Sequence, residues 1–361
     1  MTQVLAARPR PSTEFHTLTV TAVERLTDDA VAVTFDVPPP LRETFAFEAG
    51  QSLTLRRVVD GVEHRRTYSI CAAIGAPPRI GVREIPQGLF SSWLVREVRP
   101  GDGIEVQAPS GGFRVEAAPG GRHLCIAAGS GITPMLSVAS TVLADPEGAV
   151  TLLYGNRRTN TVMFAEELAD LKNLHGPRFD LVHVLSREPR DVELFSGRLD
   201  SDRLHRILTL LVPIAEIDHV WLCGPLAMIE DARDVLTELG VEPERVHAEL
   251  FFVDEPPPAR RHRDPALSGT ASEVTVVLNG RGTTAAMARD RSILDSAQAQ
   301  RGDLPFACKG GVCGTCRARV TTGEVDMIRN YALDPAEVAA GFVLTCQTYP
   351  VGEAVTVDYD A

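Results

Sequence analysis

No stretch of this chain approaches the roughly 18 consecutive apolar residues that a membrane-spanning helix needs. Residues 1–12 contain no apolar core of signal-peptide length. Basic charge is scarce too: 36 Lys and Arg against 48 Asp and Glu leave a formal net charge of −12. That balance argues against nonspecific nucleic-acid binding, which needs a basic surface, and against docking on an anionic membrane. No internal repeat is present, so a solenoid is not expected. These absences leave a soluble cytoplasmic protein, in which cysteines stay reduced unless a metal takes them.

At 361 residues the chain is too long for one ordinary core. Residues 1–13, rich in Pro, Arg and Ser, read as a disordered leader. Short β-type runs at 18–23, 31–35, 52–58 and 103–107 are separated by Pro and Gly clusters, which predicts a small antiparallel β-barrel over 14–115. From 116 to 253 the pattern changes. Strand-like runs at 123–127, 150–154, 180–185 and 220–223 alternate with helix-like segments, the mark of a parallel-sheet α/β domain. Residues 254–271 carry the proline and charge of an extended linker, and a third domain over 272–361 opens with a β run at 273–278.

Three of the seven cysteines (Cys71, Cys125, Cys223) are scattered, while four fall in the last 54 residues. Cys308, Cys313 and Cys316 spell C-x4-C-x2-C, and Cys346 follows thirty positions later. This is plant-type [2Fe–2S] spacing. Two irons need four thiolates, and Gly310, Gly311 and Gly314 let the loop wrap closely and aim backbone N–H groups at the sulfurs. A structural zinc site is the alternative, although zinc knuckles usually pair their cysteines twice over. Ahead of the loop, Ser292 and Asp295 resemble a capping box and place a short helix there.

In the first domain Arg66, Tyr68 and Ser69 follow a β run, with Gly88, Leu89 and Ser91 about twenty residues on. An aromatic can cover a flavin ring, a neighbouring hydroxyl can reach the ring nitrogen, and an arginine can hold a phosphate. Ser91 and Ser92 open a predicted helix whose N-terminus suits pyrophosphate. Each feature alone is better explained by packing or by an N-cap. In the second domain Gly129, Gly131, Thr133 and Pro134 follow a strand and open a helix, with Pro134 suited to its first position. The third glycine of an ordinary dinucleotide fingerprint is replaced by Pro134. At the next strand ends stand Asn156 with Arg157, and Ser186 with Arg187, with no acid before Glu188. A 2′-phosphate wants arginine and a ribose hydroxyl wants an acid, so NADPH is favoured over NADH, although such arginines are often only solvated surface. Cys223, Gly224 and Pro225 end the last clear strand.

In this order the motifs resemble those of the ferredoxin–NADP reductase superfamily, and the resemblance spans nearly the whole chain. It implies an FAD-binding barrel whose site adds Val82 and Arg83, a G-x-G-x-T-P phosphate loop, and a C-terminal α+β β-grasp ferredoxin domain. It also implies that Cys223 sits beside the nicotinamide carbon that releases hydride, and that Glu249 and Phe251 match a closing Glu-x-Phe. Leu250 stands where a typical member has Arg, which weakens the transfer of a role to Glu249. Ser69, Cys223 and Glu249 are thus the expected catalytic group. The stretches 65–71, 127–136, 154–157, 303–313 and 339–347 are most similar to the reductase subunits of bacterial phenylacetyl-CoA epoxidase complexes. Those relatives imply electron flow from NADPH through FAD and [2Fe–2S] to di-iron oxygenase subunits. A different ring-oxygenating system or a cytochrome is the alternative acceptor, and a non-catalytic redox-sensing module the alternative of another class. Di-iron sites use Glu-x-x-His pairs on long helices; Glu216 with His219 and Glu244 with His247 have that spacing but border extended runs, and read as accidental.

Overall fold

The computed structural model describes residues 14–86, 88–115, 120–252 and 271–361. The expected leader and, apart from Ala271, the expected linker lie outside them. The described residues form two compact units, one of 15–64 and 68–252, the other of 271–361 together with 14 and 65–67. Among the described residues no helix is long and apolar enough to cross a membrane.

The first unit begins with six strands: β1 (Phe15–Thr27), β2 (Ala30–Asp36), β3 (Ser52–Val59), β4 (Val62–Ser69), β5 (Arg79–Arg83) and β6 (Gly103–Gln107). They form one sheet in the order β4-β3-β6-β1-β2-β5. An antiparallel bridge from Ile70, just beyond β4, to Ile80 of β5 joins the two edges and closes the barrel. Alternation sets the faces. Val31, Val33 and Phe35 point into the barrel core beside Leu18, Leu53 and Leu55. The intervening Ala30 and Ala32 point the other way, into a core shared with the parallel sheet. A short helix α1 (Ser91–Arg96) lies between β5 and β6.

The same unit continues with β7 (Gly121–Ala128), α2 (Ile132–Ala144), β8 (Gly148–Asn156), α3 (Ala165–His175), β9 (Phe179–Leu185), α4 (Ser201–Leu211), β10 (His219–Pro225), α5 (Leu226–Glu238) and β11 (Val246–Phe252). Their strands make a parallel sheet in the order β11-β10-β7-β8-β9. Both faces are covered, as a parallel sheet requires: Cys125 and Ala127 of β7 join the core shared with the barrel, and Leu124 and Ile126 join the core on the other side. Strand order reverses between β7 and β10, and ligand crevices of open α/β sheets lie at the carboxyl ends of such strands. Helix α2 starts two residues earlier than expected, so Pro134 is its third residue. It remains within the first turn, where a missing N–H costs no intrahelical bond.

Across the seam, Arg79 of β5 donates from Nη1 and Nη2 to both carboxylate oxygens of Glu167 in α3, at 2.8 and 2.7 Å. Nη2 also meets Glu24 at 2.6 Å, and the guanidinium lies over the Phe164 ring, 5.3 Å from its centroid. Burial opposes the charge of Arg79, but the two carboxylates outweigh it and hold the cation above its ordinary range.

The second unit contains β12 (Ala271–Leu278), β13 (Arg281–Ala288), α6 (Ile293–Ala297), β14 (Arg317–Thr322), β15 (Val325–Met327), α7 (Pro335–Ala339), β16 (Phe342–Leu344), β17 (Thr348–Pro350) and β18 (Ala354–Asp358). Five strands form a mixed sheet, β13-β12-β18-β14-β16, parallel only at β12–β18. It is the expected β-grasp arrangement, with α6 against its core through Ile293, Leu294 and Ala297. Ser292 caps α6 by accepting the Asp295 N–H at 3.1 Å. The Asp295 carboxylate turns instead to the Ser292 hydroxyl and to Lys309, so the capping box is half formed.

Candidate functional site

Ser69, buried at the end of β4, donates its hydroxyl to Glu249 Oε2 at 2.9 Å. Glu249 in β11 stands directly opposite Cys223 of β10 in the parallel register. Thus the three residues expected to act together meet, although 180 positions separate Ser69 from Glu249. Burial pushes the Glu249 carboxyl up to about 7, against the pull of the Ser69 hydrogen bond. Burial and then the neighbouring Glu249 charge push the Cys223 thiol well above its ordinary range. Cys223 therefore stays a neutral thiol at physiological pH, while Glu249 is poised between its two forms.

Around this group the barrel supplies the other flavin candidates. Tyr68 is half-buried, its ring centroid 6.2 Å from that of Phe90. Val82 is buried in the barrel core, and Arg66 is exposed, its guanidinium on the Arg65 carbonyl at 2.6 Å. Arg83 reaches across to the Thr161 carbonyl and lies beside Gly129. The turn at Gly88 and Leu89 is held by Gly88 N–H on the Ile85 carbonyl, 2.8 Å, and by Arg57 on the Leu89 carbonyl, 3.3 Å. Ser91 does not cap α1 with its side chain; its hydroxyl oxygen accepts the Ile85 N–H at 3.0 Å. The cause is local: Phe90 before it is already in the right-handed helical region, so the extended cap geometry is absent.

At the switch point of the parallel sheet, the loop Gly129–Gly131 meets the Cys223–Gly224 backbone. A Cβ on Gly131 would stand 2.1 Å from the Cys223 carbonyl oxygen, so only glycine permits the two loops to touch. Thr133 is buried and donates to the Ser130 carbonyl at 3.0 Å. Gly224 and Pro225 lead into α5. Tyr154, first residue of the 154–157 stretch, donates its hydroxyl to the Gly129 carbonyl at 3.0 Å and braces this loop from β8. The ends of β8 and β9 are zipped together, Ser186 N–H to Asn156 and Arg187 N–H to Arg157, each 2.8 Å. This leaves Arg157 and Arg187 as exposed neighbours, and among the described residues neither forms an ion pair. Glu188, next along the chain from Arg187, is engaged by the Thr159 N–H and hydroxyl at 2.9 and 2.6 Å. The Asn156 side chain is buried beside the Tyr154 hydroxyl, and neither amide atom makes a well-formed hydrogen bond among the described residues. A buried amide without partners is costly unless a ligand satisfies it, and a nucleotide at this strand end fits that need.

The four C-terminal cysteines fall into two pairs. Cys308 interacts with Cys313, and Cys316 with Cys346. No three acidic, histidine or cysteine side chains among the described residues converge on one ion position. Two thiol pairs fit two irons and do not fit a single zinc, which takes all four ligands at one centre. Within the first pair the neighbouring Cys313 pulls Cys308 down and is itself pushed up, and the Gly310 N–H donates to Cys308 Sγ at 3.3 Å. A backbone donor aimed at sulfur favours the thiolate form that iron ligation requires. On the other side, Thr345 donates both its N–H and its hydroxyl to the Cys316 carbonyl at 3.1 and 3.0 Å. Its hydroxyl also meets buried Tyr359 at 2.6 Å. Neither Glu216 with His219 nor Glu244 with His247 lies on a helix of any length; both pairs run from a 3-10 turn into a strand.

The family models that match are an oxidoreductase FAD-binding domain over residues 17–115, an oxidoreductase NAD-binding domain over 125–234 and a 2Fe-2S iron-sulfur cluster binding domain over 276–351. The chain is 43% identical to a subunit of the 1,2-phenylacetyl-CoA epoxidase of Escherichia coli K12, over 97% of this chain and 99% of that one. It is 32% identical to the ferredoxin reductase component of 3-ketosteroid-9-alpha-monooxygenase from Rhodococcus rhodochrous, over 95% and 96%. Phthalate dioxygenase reductase shares the fold, with a TM-score of 0.62 at 24% identity over 95% of this chain and 98% of that structure. FAD, a nicotinamide nucleotide and a [2Fe–2S] cluster are accordingly the cofactors of this oxidoreductase.

Proposed function

Because the chain belongs to the family of FAD-, NAD- and [2Fe–2S]-containing reductase components that takes in this phenylacetyl-CoA epoxidase component, we propose that it takes electrons from NADPH and delivers them singly to a di-iron oxygenase that epoxidises phenylacetyl-CoA. The observation that carries this reading is the end-to-end likeness to the Escherichia coli protein, which takes in all three cofactor regions. Exposed Arg157 and Arg187, side by side with no acid free to grip a ribose hydroxyl, support NADPH over NADH.

In this reading Arg66, Tyr68, Ser69, Val82, Arg83, Gly88, Leu89 and Ser91 hold the flavin, and the four cysteines hold the cluster. Gly129, Gly131, Thr133, Gly224 and Pro225 shape the nicotinamide crevice, while Asn156, Arg157, Ser186 and Arg187 grip the far end of the nucleotide. Bound together, the three groups convert a two-electron donor into one-electron deliveries. Catalysis by the protein is chiefly placement. Cys223, held neutral, puts no opposing charge beside the nicotinamide. Glu249, through the Ser69 hydroxyl, keeps a proton within reach of the flavin edge.

The test is NADPH consumption by the purified, iron- and sulfide-replete chain, with and without the di-iron oxygenase and phenylacetyl-CoA. Stimulation only by the complete mixture is expected. If the mixture does nothing while ferricyanide is still reduced, the epoxidase acceptor is wrong and the reductase chemistry stands. The 32% identity to the ketosteroid monooxygenase component over 95% of the chain favours a second reading, another ring-oxygenating acceptor. Substituting that oxygenase in the same assay separates the two.

A further inference from the structure

Gln347 directly follows the fourth cysteine, and the residue is enclosed, 8% exposed. Its amide nitrogen lies 2.7 Å from the Lys309 carbonyl oxygen, 3.1 Å from the Cys346 carbonyl oxygen and 3.7 Å from Cys346 Sγ. Two hydrogens therefore face three acceptors. The short bond to Lys309 takes one, and the other is shared between the oxygen and the sulfur of Cys346. The rest of the residue is fixed as well. Its backbone N–H bonds the Leu344 carbonyl at 2.8 Å, and its carbonyl accepts the Ile328 N–H at 3.0 Å. Its Cγ lies against Gly311, where an added Cβ would come within 3.1 Å of it and where φ is +83°.

Lys309 sits next to Cys308, in the other cysteine pair. Thr345, on the opposite flank of Cys346, bonds Cys316 within the same pair. The two neighbours of Cys346 thus hold it in opposite directions, Thr345 to its own partner and Gln347 across to the other pair. The geometry points to Gln347 as a positioning residue for electron transfer: it ties the two thiolate pairs together and tunes the reduction potential of the cluster through an N–H···S hydrogen bond to Cys346. Hydrogen bonds to ligand sulfur are one of the levers that set iron–sulfur potentials. A donor aimed at a thiolate favours the more negative, reduced cluster, so Gln347 raises the potential and makes the cluster a better acceptor from the flavin. The bond does not depend on which oxygenase receives the electron.

The test replaces the donor and keeps the shape. Gln347→Met and Gln347→Leu are made in the full chain and assayed for iron, sulfide and FAD, and their cluster potential is measured by spectroelectrochemistry without any oxygenase. Full loading is expected, with the ratio of reduced to oxidised cluster at a fixed potential falling about tenfold, a shift of about 59 mV for one electron. Gln347→Asn keeps an amide but is one carbon shorter, and it should fall between these variants and the parent. Loaded Met and Leu variants with an unchanged potential overturn the proposal. Should neither variant take up the cluster, the parent protein carrying side-chain 15N-glutamine decides by pulsed EPR of the reduced cluster, with Gln298→Leu as the control for the other glutamine near Lys309. A coupled amide nitrogen that survives in the control is expected, and its absence removes Gln347 from any electronic role.

Discussion

The Ser69 hydroxyl and the Glu249 carboxylate, 2.9 Å apart, join the barrel to the last strand of the parallel sheet at the point where Cys223 also stands. The carboxyl is held up to about 7 by burial, so its protonation state changes in the physiological range. A raised carboxyl makes its full contribution to stability below its unfolded value of about 4.5 and loses it as pH climbs through 7. Glu249→Gln cannot titrate. The stability of the parent relative to this variant should therefore shrink by roughly 1–3 kcal/mol between pH 4.5 and pH 8, read from denaturant midpoints across that range. A constant gap would refute the raised carboxyl. The rate of flavin reduction by NADPH should also lose its pH dependence near 7 in the variant.

Arg79 ties β5 to α3 through both oxygens of Glu167. Its guanidinium is mostly enclosed, its side chain 16% exposed, whereas Glu24 on its other side is largely in solvent. Arg79→Ala should cost about 1–3 kcal/mol, leaving the Glu167 carboxylate without its cation and the Phe164 face uncovered. Glu24→Ala should cost less than about 1 kcal/mol. Equal losses in the two variants, measured by thermal unfolding, would contradict the bidentate pair as the main tie.

Gly131→Ala places a methyl group 2.1 Å from the Cys223 carbonyl oxygen. The clash is with backbone, which cannot swing aside as a side chain would. The variant should fold with the 129–131 loop displaced, and its KM for the nicotinamide nucleotide should rise roughly tenfold or more, since small misplacements of bound groups are expensive. Stopped-flow binding of NADPH to the oxidised protein checks this; normal affinity would mean that the loops can part at little cost.

Arg157→Ser and Arg187→Ser, singly and together, should lower kcat/KM for NADPH by about tenfold per charge removed and leave that for NADH nearly unchanged, because a phosphate–arginine contact is a charge-assisted bond. Steady-state kinetics with both nucleotides reads the ratio. An equal loss with NADH would mark the arginines as structural.

Much of this architecture is legible in residue order. The four cysteines and their glycines announce the loop because so few chemistries need that spacing, and the strand alternation of Val31, Val33 and Phe35 carries straight into the barrel core. What the chain order hides is contact between distant elements. Nothing around Arg79 indicates Glu167, 88 positions away, nor does Tyr154 advertise its hold on Gly129. Ser91 misleads for a different reason: its cap role depends on the backbone of Phe90, which tertiary packing decides. His219 and His247, whose Glu-x-x-His spacing carries no meaning, lie on adjacent strands with their ring nitrogens 3.3 Å apart, a pairing that only the sheet order creates.

The alanines on the outward face of β2 share one apolar interior with Ile132, Leu136 and Val138 of α2. Separating the FAD-binding half from the NAD-binding half would therefore strip both of part of their hydrophobic filling. Neither half is an interchangeable cassette. Chimeras that trade nicotinamide preference between relatives should inherit Ala30, Ala32 and their α2 counterparts from a single parent, or they will emerge as aggregates.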